Sequence, residues 1–208
     1  MIKQRFSWQL KDIIMVCIIG LLFSLVYMGV LYAAVAAQVA LTPFGLGPFA
    51  FEIFYGIWFM AATLAAYIIQ KAGSAFVAEL LAAVLEMLMG NYGGALVVNV
   101  GVVQGLGSEA GFALFGYRRF DTLSLCVSGA MTAIFSFAWA FVVSGYGLLD
   151  RGLLIAMLAV RIVSAVVFAG ICSMLIGNGL AKTAVLKSYA LGRRFGAPEI
   201  MDDDEGYE

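Results

Sequence analysis

Residues 13–37 read IIMVCIIGLLFSLVYMGVLYAAVAA, 25 consecutive positions without a charged side chain. A helix needs roughly 20 predominantly apolar residues to cross the hydrocarbon core of a bilayer. The apolar stretch of a cleavable leader is shorter, about 7–15 residues, and this run ends without a convincing A-x-A cleavage site. It predicts a first membrane span that stays in place.

Five more apolar runs follow. They cover Phe49–Ile69, Ser74–Met89, Ala95–Phe115, Thr122–Val143 and Leu153–Leu180. Between them stand turn residues and charges: Pro43, Gly45, Gly47 and Pro48; Lys71 and Gly73; Gly90-Asn91-Tyr92-Gly93-Gly94; Arg118 and Arg119; Gly145-Tyr146-Gly147. Composition agrees, because 63% of the 208 residues are apolar and only 12% are charged, against about 45–50% and about 25% in soluble domains. Six spans would use about 120 apolar residues. This balance excludes a soluble enzyme, a disulfide scaffold, a disordered protein and a nucleic-acid binder. Cys17, Cys126 and Cys172 sit inside apolar runs without metal-ligand spacing and read as small buried hydrophobes.

The positive charges give a direction. Lys3, Arg5 and Lys11, then Lys71, then Arg118 and Arg119, then Lys182, Lys187, Arg193 and Arg194 make ten of the twelve Lys and Arg residues. All ten fall on one side if the chain crosses six times with both termini cytoplasmic, as the positive-inside rule expects. The opposite loops hold Arg151, next to Asp150. The expected architecture is all-α, a polytopic membrane protein with six transmembrane helices, residues 1–208 forming a single membrane domain with a disordered acidic tail over about 198–208.

Several charges contradict an apolar surrounding. Arg161 lies ten residues past Arg151, roughly 15 Å along a helix and so near mid-membrane. Glu52, Glu79, Glu86 and Glu109 are embedded in the runs, and a charge at the bilayer centre costs at least ~2.5–3.5 kcal/mol. Such groups must face the bundle interior, a partner or a ligand. Glu79 and Glu86 are seven apart and share one face of the third span. The fourth span adds Asn99 and Gln104, with Gly101/Gly105 and Gly107/Gly111 at the G-x-x-x-G spacing that lets helices approach. Arg161 can offset one carboxylate, Glu109 or Glu86 by depth. A structural ion-pair network is the competing reading. The excess of acids favours a polar cavity that receives a cation or a hydrogen-bonding ligand. Tyr55 and Trp58 beside Glu52, and Trp139 and Tyr146 near the outer end of the fifth span, add aromatic faces that attract cationic rings.

The stretches Tyr55-Gly56-Ile57-Trp58-Phe59, Glu86 through Gly90-Asn91, and Gly101-Val102-Val103-Gln104-Gly105-Leu106-Gly107-Ser108-Glu109-Ala110 resemble the YkoE family, substrate-binding S components of energy-coupling factor (ECF) vitamin transporters. The resemblance runs from about residue 10 to about residue 192. It implies a six-helix protein of the bacterial cell membrane that binds thiamine or its hydroxymethylpyrimidine precursor from outside. It also implies a transmembrane coupling (T) subunit and two cytoplasmic ATPase subunits as partners. The sequence has no G-x-x-x-x-G-K-[ST] loop, so energy would come from those partners. The expectation is a transport subunit with no catalytic residue, no metal site and no cofactor.

On this reading Glu86, Asn99 and Gln104 meet the aminopyrimidine, Glu52 faces the thiazolium, and Trp58 and Tyr55 stack on the rings. Glu79 and Glu109 lie deeper and floor the cavity or balance Arg161. Candidate docking pairs of small residues on the first span are Gly20/Ser24 and Ala33/Ala37. The alternative function is an ion-coupled secondary carrier of a small cationic substrate, with Glu79 and Glu109 as relays.

Overall fold

The computed structural model describes residues 7–196. The acidic tail, Lys3 and Arg5 lie outside the described residues. The described chain is helical throughout: α1 (Leu10–Leu41), α2 (Phe49–Trp58), α3 (Met60–Ile69), α4 (Ser74–Leu88), α5 (Leu96–Leu114), α6 (Thr122–Val143), α7 (Arg151–Ala165), α8 (Ser173–Ala181) and α9 (Ala190–Arg194). A π-helical segment, Val166–Cys172, joins α7 to α8. With α2–α3 and α7–α8 each counted as one pass, five passes are long and apolar enough to cross a bilayer. The remaining one, α4, has 15 residues, about 22 Å of helix, less than the ~30 Å hydrocarbon core.

Both described termini meet at one end of the bundle. Lys11 Nζ donates to the Ser188 carbonyl at 2.7 Å, the Tyr189 hydroxyl donates to the Lys11 carbonyl at 2.6 Å, and Lys71 pairs with Asp12 at 2.6 Å. The Gly- and Pro-rich loops after α1, α4 and α6 gather at the opposite end, around one shared hollow.

Small residues set the close approaches. A Cβ at Gly101 or Gly105 would strike Ala83 or Phe76 of α4, while one at Gly107 or Gly111 would strike α6 at Thr132 or Ser128. The two G-x-x-x-G pairs therefore serve different neighbours, and α5 is clamped from both sides. Ser108 and Ser128 exchange a hydrogen bond of 2.7 Å across the second contact. Gly111→Ala places its methyl against Ser128 backbone, which cannot move aside as a side chain can. We expect it to cost ~1–3 kcal/mol as overpacking. Gly20→Ala meets only the flexible side chain of Leu81 and should cost less. Melting temperatures of the two variants in detergent check this order.

Gly20 and Ser24 are buried against the bundle, so that pair is not available for docking. Ala33 is exposed. Cys17 is also exposed, and Cys126 and Cys172 are half-buried, which corrects the expectation of three buried cysteines. Helix α1 is apolar on every side, so position along it does not reveal which face turns inward.

The second pass is interrupted at Phe59, whose N–H bonds back to the Gly56 and Ile57 carbonyls. Every residue of the following helix, α3, is buried. A break in a buried helix frees backbone N–H groups that must find partners. Here the Ala61 N–H donates to the Tyr27 hydroxyl at 3.1 Å and the Ala62 N–H to Glu79 Oε2 at 3.2 Å. The break in the second pass thus calls for an acceptor oxygen at position 79, and that requirement places the side chain beside the site.

Candidate functional site

A cavity of about 120 Å³ lies between α1, α2, α4 and α5. Its polar lining is Tyr27, Glu79, Glu86, Asn91 and Gln104, and its aromatic walls are Phe51, Tyr55 and Trp58. It adjoins a wider vestibule of about 490 Å³ at the loop end, with Phe51, Tyr55, Asn91, Val97 and Val100 common to both. Helix direction sets the depth. Glu86 is in the last turn of α4, close to the vestibule, and Glu79 is seven residues nearer the other end, about 10 Å deeper.

Each lining group has a local reason to be there. The Glu86 carboxylate accepts a hydrogen bond from Asn91 Nδ2 at 2.7 Å, and Trp58 lines the same cavity. The Asn91 side-chain oxygen in turn accepts from the Gly93 N–H at 2.8 Å, which ties the G-N-Y-G-G loop to the acid. Trp58 stacks on Phe51 with ring centroids 6.3 Å apart and an interplanar angle of 10°. Gly101 turns its bare Cα toward α4 and leaves Gln104, one turn on, facing the hollow. Glu79 Oε2 accepts from the Tyr27 hydroxyl at 3.0 Å, and its other oxygen, Oε1, is buried with no hydrogen-bond partner.

Of the residues expected from sequence, Tyr55, Trp58, Glu79, Glu86 and Gln104 meet at this cavity. The others are elsewhere. Glu52 is fully buried one layer behind it, held by Arg161 through Nε at 2.5 Å and Nη2 at 2.8 Å, with the Tyr146 hydroxyl donating to it at 2.6 Å. Arg161 therefore balances Glu52, not Glu86 or Glu109. Its guanidinium also donates to Ser136 at 3.1 Å and lies 3.6 Å from the Tyr55 ring centroid. Tyr55 thus presents one face to the ion pair and forms part of the cavity wall. Tyr146 reaches the vestibule only, and Trp139 lines neither hollow.

Asn99 is exposed on the outside of α5. It is five residues from Gln104, an angular offset of about 140° at 3.6 residues per turn, so the two cannot share a face. Glu109 is not a floor either. Its Oε1 accepts from the Ala75 and Phe76 N–H groups at 2.9 and 3.2 Å, and its Oε2 from the Tyr117 hydroxyl at 2.8 Å. It caps the first turn of α4 from the neighbouring helix, where the N-cap position is Gly73 and offers no side chain. Burial and this acidic acceptor hold the Tyr117 hydroxyl above the usual tyrosine range. Glu109→Ala removes this cap and should destabilise the protein by about 0.5–2 kcal/mol, read as a lower melting temperature, and leave ligand affinity unchanged when measured by titration.

Residues that sequence reasoning passed over are Tyr27, Phe51 and Asn91. Tyr27 lies on the buried face of α1 with Val16, Ile19, Phe23, Leu31 and Ala34, a face that the all-round apolar sequence of this helix does not mark.

The arrangement defines a class. It is a membrane-embedded binding subunit, with an aromatic and acidic hollow that opens through a vestibule at one end of the bundle. Residues 11–135 match the family described as "ABC-type cobalt transport system, permease component". The chain is 36% identical over 193 residues to the HMP/thiamine permease protein YkoE of Bacillus subtilis (strain 168), which spans 90% of this chain and 92% of that one. It superposes on a crystal structure of an S component of an ECF transporter with a TM-score of 0.85 and 36% identity, covering 91% of this chain and 93% of the other. The chain belongs to this permease family and to the YkoE group of ECF S components. It is a multi-pass protein of the cell membrane and the substrate-binding component of a transporter.

Proposed function

We propose that this S component captures thiamine or hydroxymethylpyrimidine, the compounds in the name of its Bacillus subtilis relative, and hands them to a coupling subunit driven by ATPase partners. One observation carries the choice of cargo. Two carboxylates, Glu79 and Glu86, line a hollow into which no Lys or Arg among the described residues projects. The buried cation nearby, Arg161, is already committed to Glu52. A pocket with acids, no opposing cation, and the faces of Trp58, Tyr55 and Phe51 suits a flat, positively charged ring. Thiamine has such a ring in its thiazolium and a donor–acceptor edge in its aminopyrimidine, which Gln104 and Asn91 can match with their amides.

The cobalt in the family description finds less support in the lining. No group of three or more His, Cys, Asp or Glu side chains able to hold a metal occurs among the described residues, and the sequence contains no His. The positive charges at the end of the bundle that holds the described termini support placing that end in the cytoplasm. The vestibule then opens outward, toward the supply of vitamin. Purification of the intact protein followed by mass spectrometry of the released small molecules tests the reading. Thiamine or hydroxymethylpyrimidine, at stoichiometric amount or after incubation and washing, is the expected result. Retention of neither, with failure of both to bind in titration, rejects it.

A further inference from the structure

The S-component reading leaves one group in the cavity unexplained. Glu79 is 1% exposed, and its two oxygens live in different surroundings. Oε2 receives the Tyr27 hydroxyl and the Ala62 N–H and so belongs to the structural cap on α3. Oε1 is buried without any partner, although the residue lines the hollow together with Gln104 and Trp58. A buried acceptor left unsatisfied costs about 1–3 kcal/mol, more when charged. Almost all such groups in folded proteins are paired.

Resting on the cargo reading above, we propose that Glu79 Oε1 is the acceptor for the ring amino group of the ligand, which seats the aminopyrimidine at the deep end of the cavity. The thiazolium of thiamine then lies one layer higher, beside Glu86 and Trp58, and extends toward the vestibule. This order follows from depth, since Glu79 lies deeper along α4 than Glu86. It also explains how one site serves both compounds. They share the aminopyrimidine, so the same deepest contact reads each of them, and the upper layer is filled only by thiamine.

The two roles of Glu79 can be separated by one substitution. In Glu79→Gln the carboxamide oxygen still accepts from Tyr27 and Ala62, so the α3 cap persists. The amide nitrogen then stands where Oε1 was and turns an acceptor into a donor. A ligand amino group meets a like group there, while a ring carbonyl finds a partner.

The experiment titrates thiamine and its 4-oxo analogue, in which a carbonyl replaces the pyrimidine amino group, against the full-length protein in detergent. The wild type should prefer thiamine by at least about tenfold. Glu79→Gln should weaken thiamine by about tenfold or more and change the oxo analogue by less than about threefold, so that the preference collapses. An equal loss for both compounds, or a preference that survives the substitution, overturns the proposal. Tyr27→Phe removes the donor to Oε2 and the acceptor of the Ala61 N–H, and leaves Oε1 as it is. It should lower the melting temperature and keep the preference, and loss of preference there would assign the effect to the cap and also overturn it. Failure of the wild type to bind thiamine or hydroxymethylpyrimidine at all rejects the cargo reading together with this one. Wild-type binding with an unmoved preference in Glu79→Gln rejects the Glu79 contact alone.

Discussion

Arg161→Leu should destabilise the protein by roughly 3–5 kcal/mol, the usual cost of leaving one partner of a buried ion pair unmatched. Both side chains are fully buried, so water cannot compensate Glu52 when its partner is removed. The geometry is bidentate, with Nε and Nη2 on the two carboxylate oxygens, and Ser136 and Tyr146 satisfy further positions of the network. The melting temperature in detergent, or the fraction that elutes as monodisperse protein, measures the loss. A second variant identifies its origin. Combining Arg161→Leu with Glu52→Leu removes both charges and should recover a large part of the stability. If the double variant melts no higher than the single one, packing of the guanidinium on Tyr55 is the dominant contribution and the charge argument fails.

Trp58→Ala and Glu86→Gln should each weaken thiamine binding by at least about tenfold, or about 1.4 kcal/mol. Trp58 supplies a wall of the cavity that Glu86 also lines. Glu86 supplies the negative charge closest to the vestibule. Truncating a buried tryptophan also costs packing, about 3–5 kcal/mol in a well-filled core, so affinity must be separated from folding. Two controls do this. Trp58→Phe keeps an aromatic face and should retain more affinity than Trp58→Ala. Glu109→Ala lowers stability at a site away from the cavity and should bind as the wild type does. Unaltered affinity in both Trp58→Ala and Glu86→Gln, measured by calorimetric titration, would move the binding site elsewhere.

The passes were legible because two kinds of signal coincide. Apolar runs end where Gly, Pro or basic residues begin, and helix limits at Phe49, Ile69, Ser74, Thr122 and Val143 fall where those signals change. The break at Phe59 was not legible, since no proline marks it and an apolar sequence continues through it. Within the site, the seven-residue spacing of Glu79 and Glu86 indicates a common face, and both line the cavity. The partner of Arg161 was beyond reach. Glu52 is 109 positions away, and no periodicity within one helix reports which distant helix packs beside it. Asn99 misled for a related reason. On a helix with glycines on two faces, polarity alone does not say which face meets the ligand, and an exposed amide near a helix end can be hydrated at the membrane boundary. Depth alone suggests that Glu109 floors the cavity or balances Arg161, while its actual task is set by Gly73, which leaves the start of α4 without a cap of its own.

The unequal lengths of α1 and α4 bear on how the subunit sits in lipid. Helix α1 has 32 residues and α4 has 15, so they reach roughly 48 Å and 22 Å, respectively. A bilayer of uniform thickness cannot match both. The long helix can lean or protrude, and the short one is accommodated by local thinning of the lipid, by its flanking residues or by association with neighbours, at fractions of a kcal/mol per Å of mismatch. Acyl-chain length thereby becomes a variable to which the stability of the subunit in a bilayer should respond.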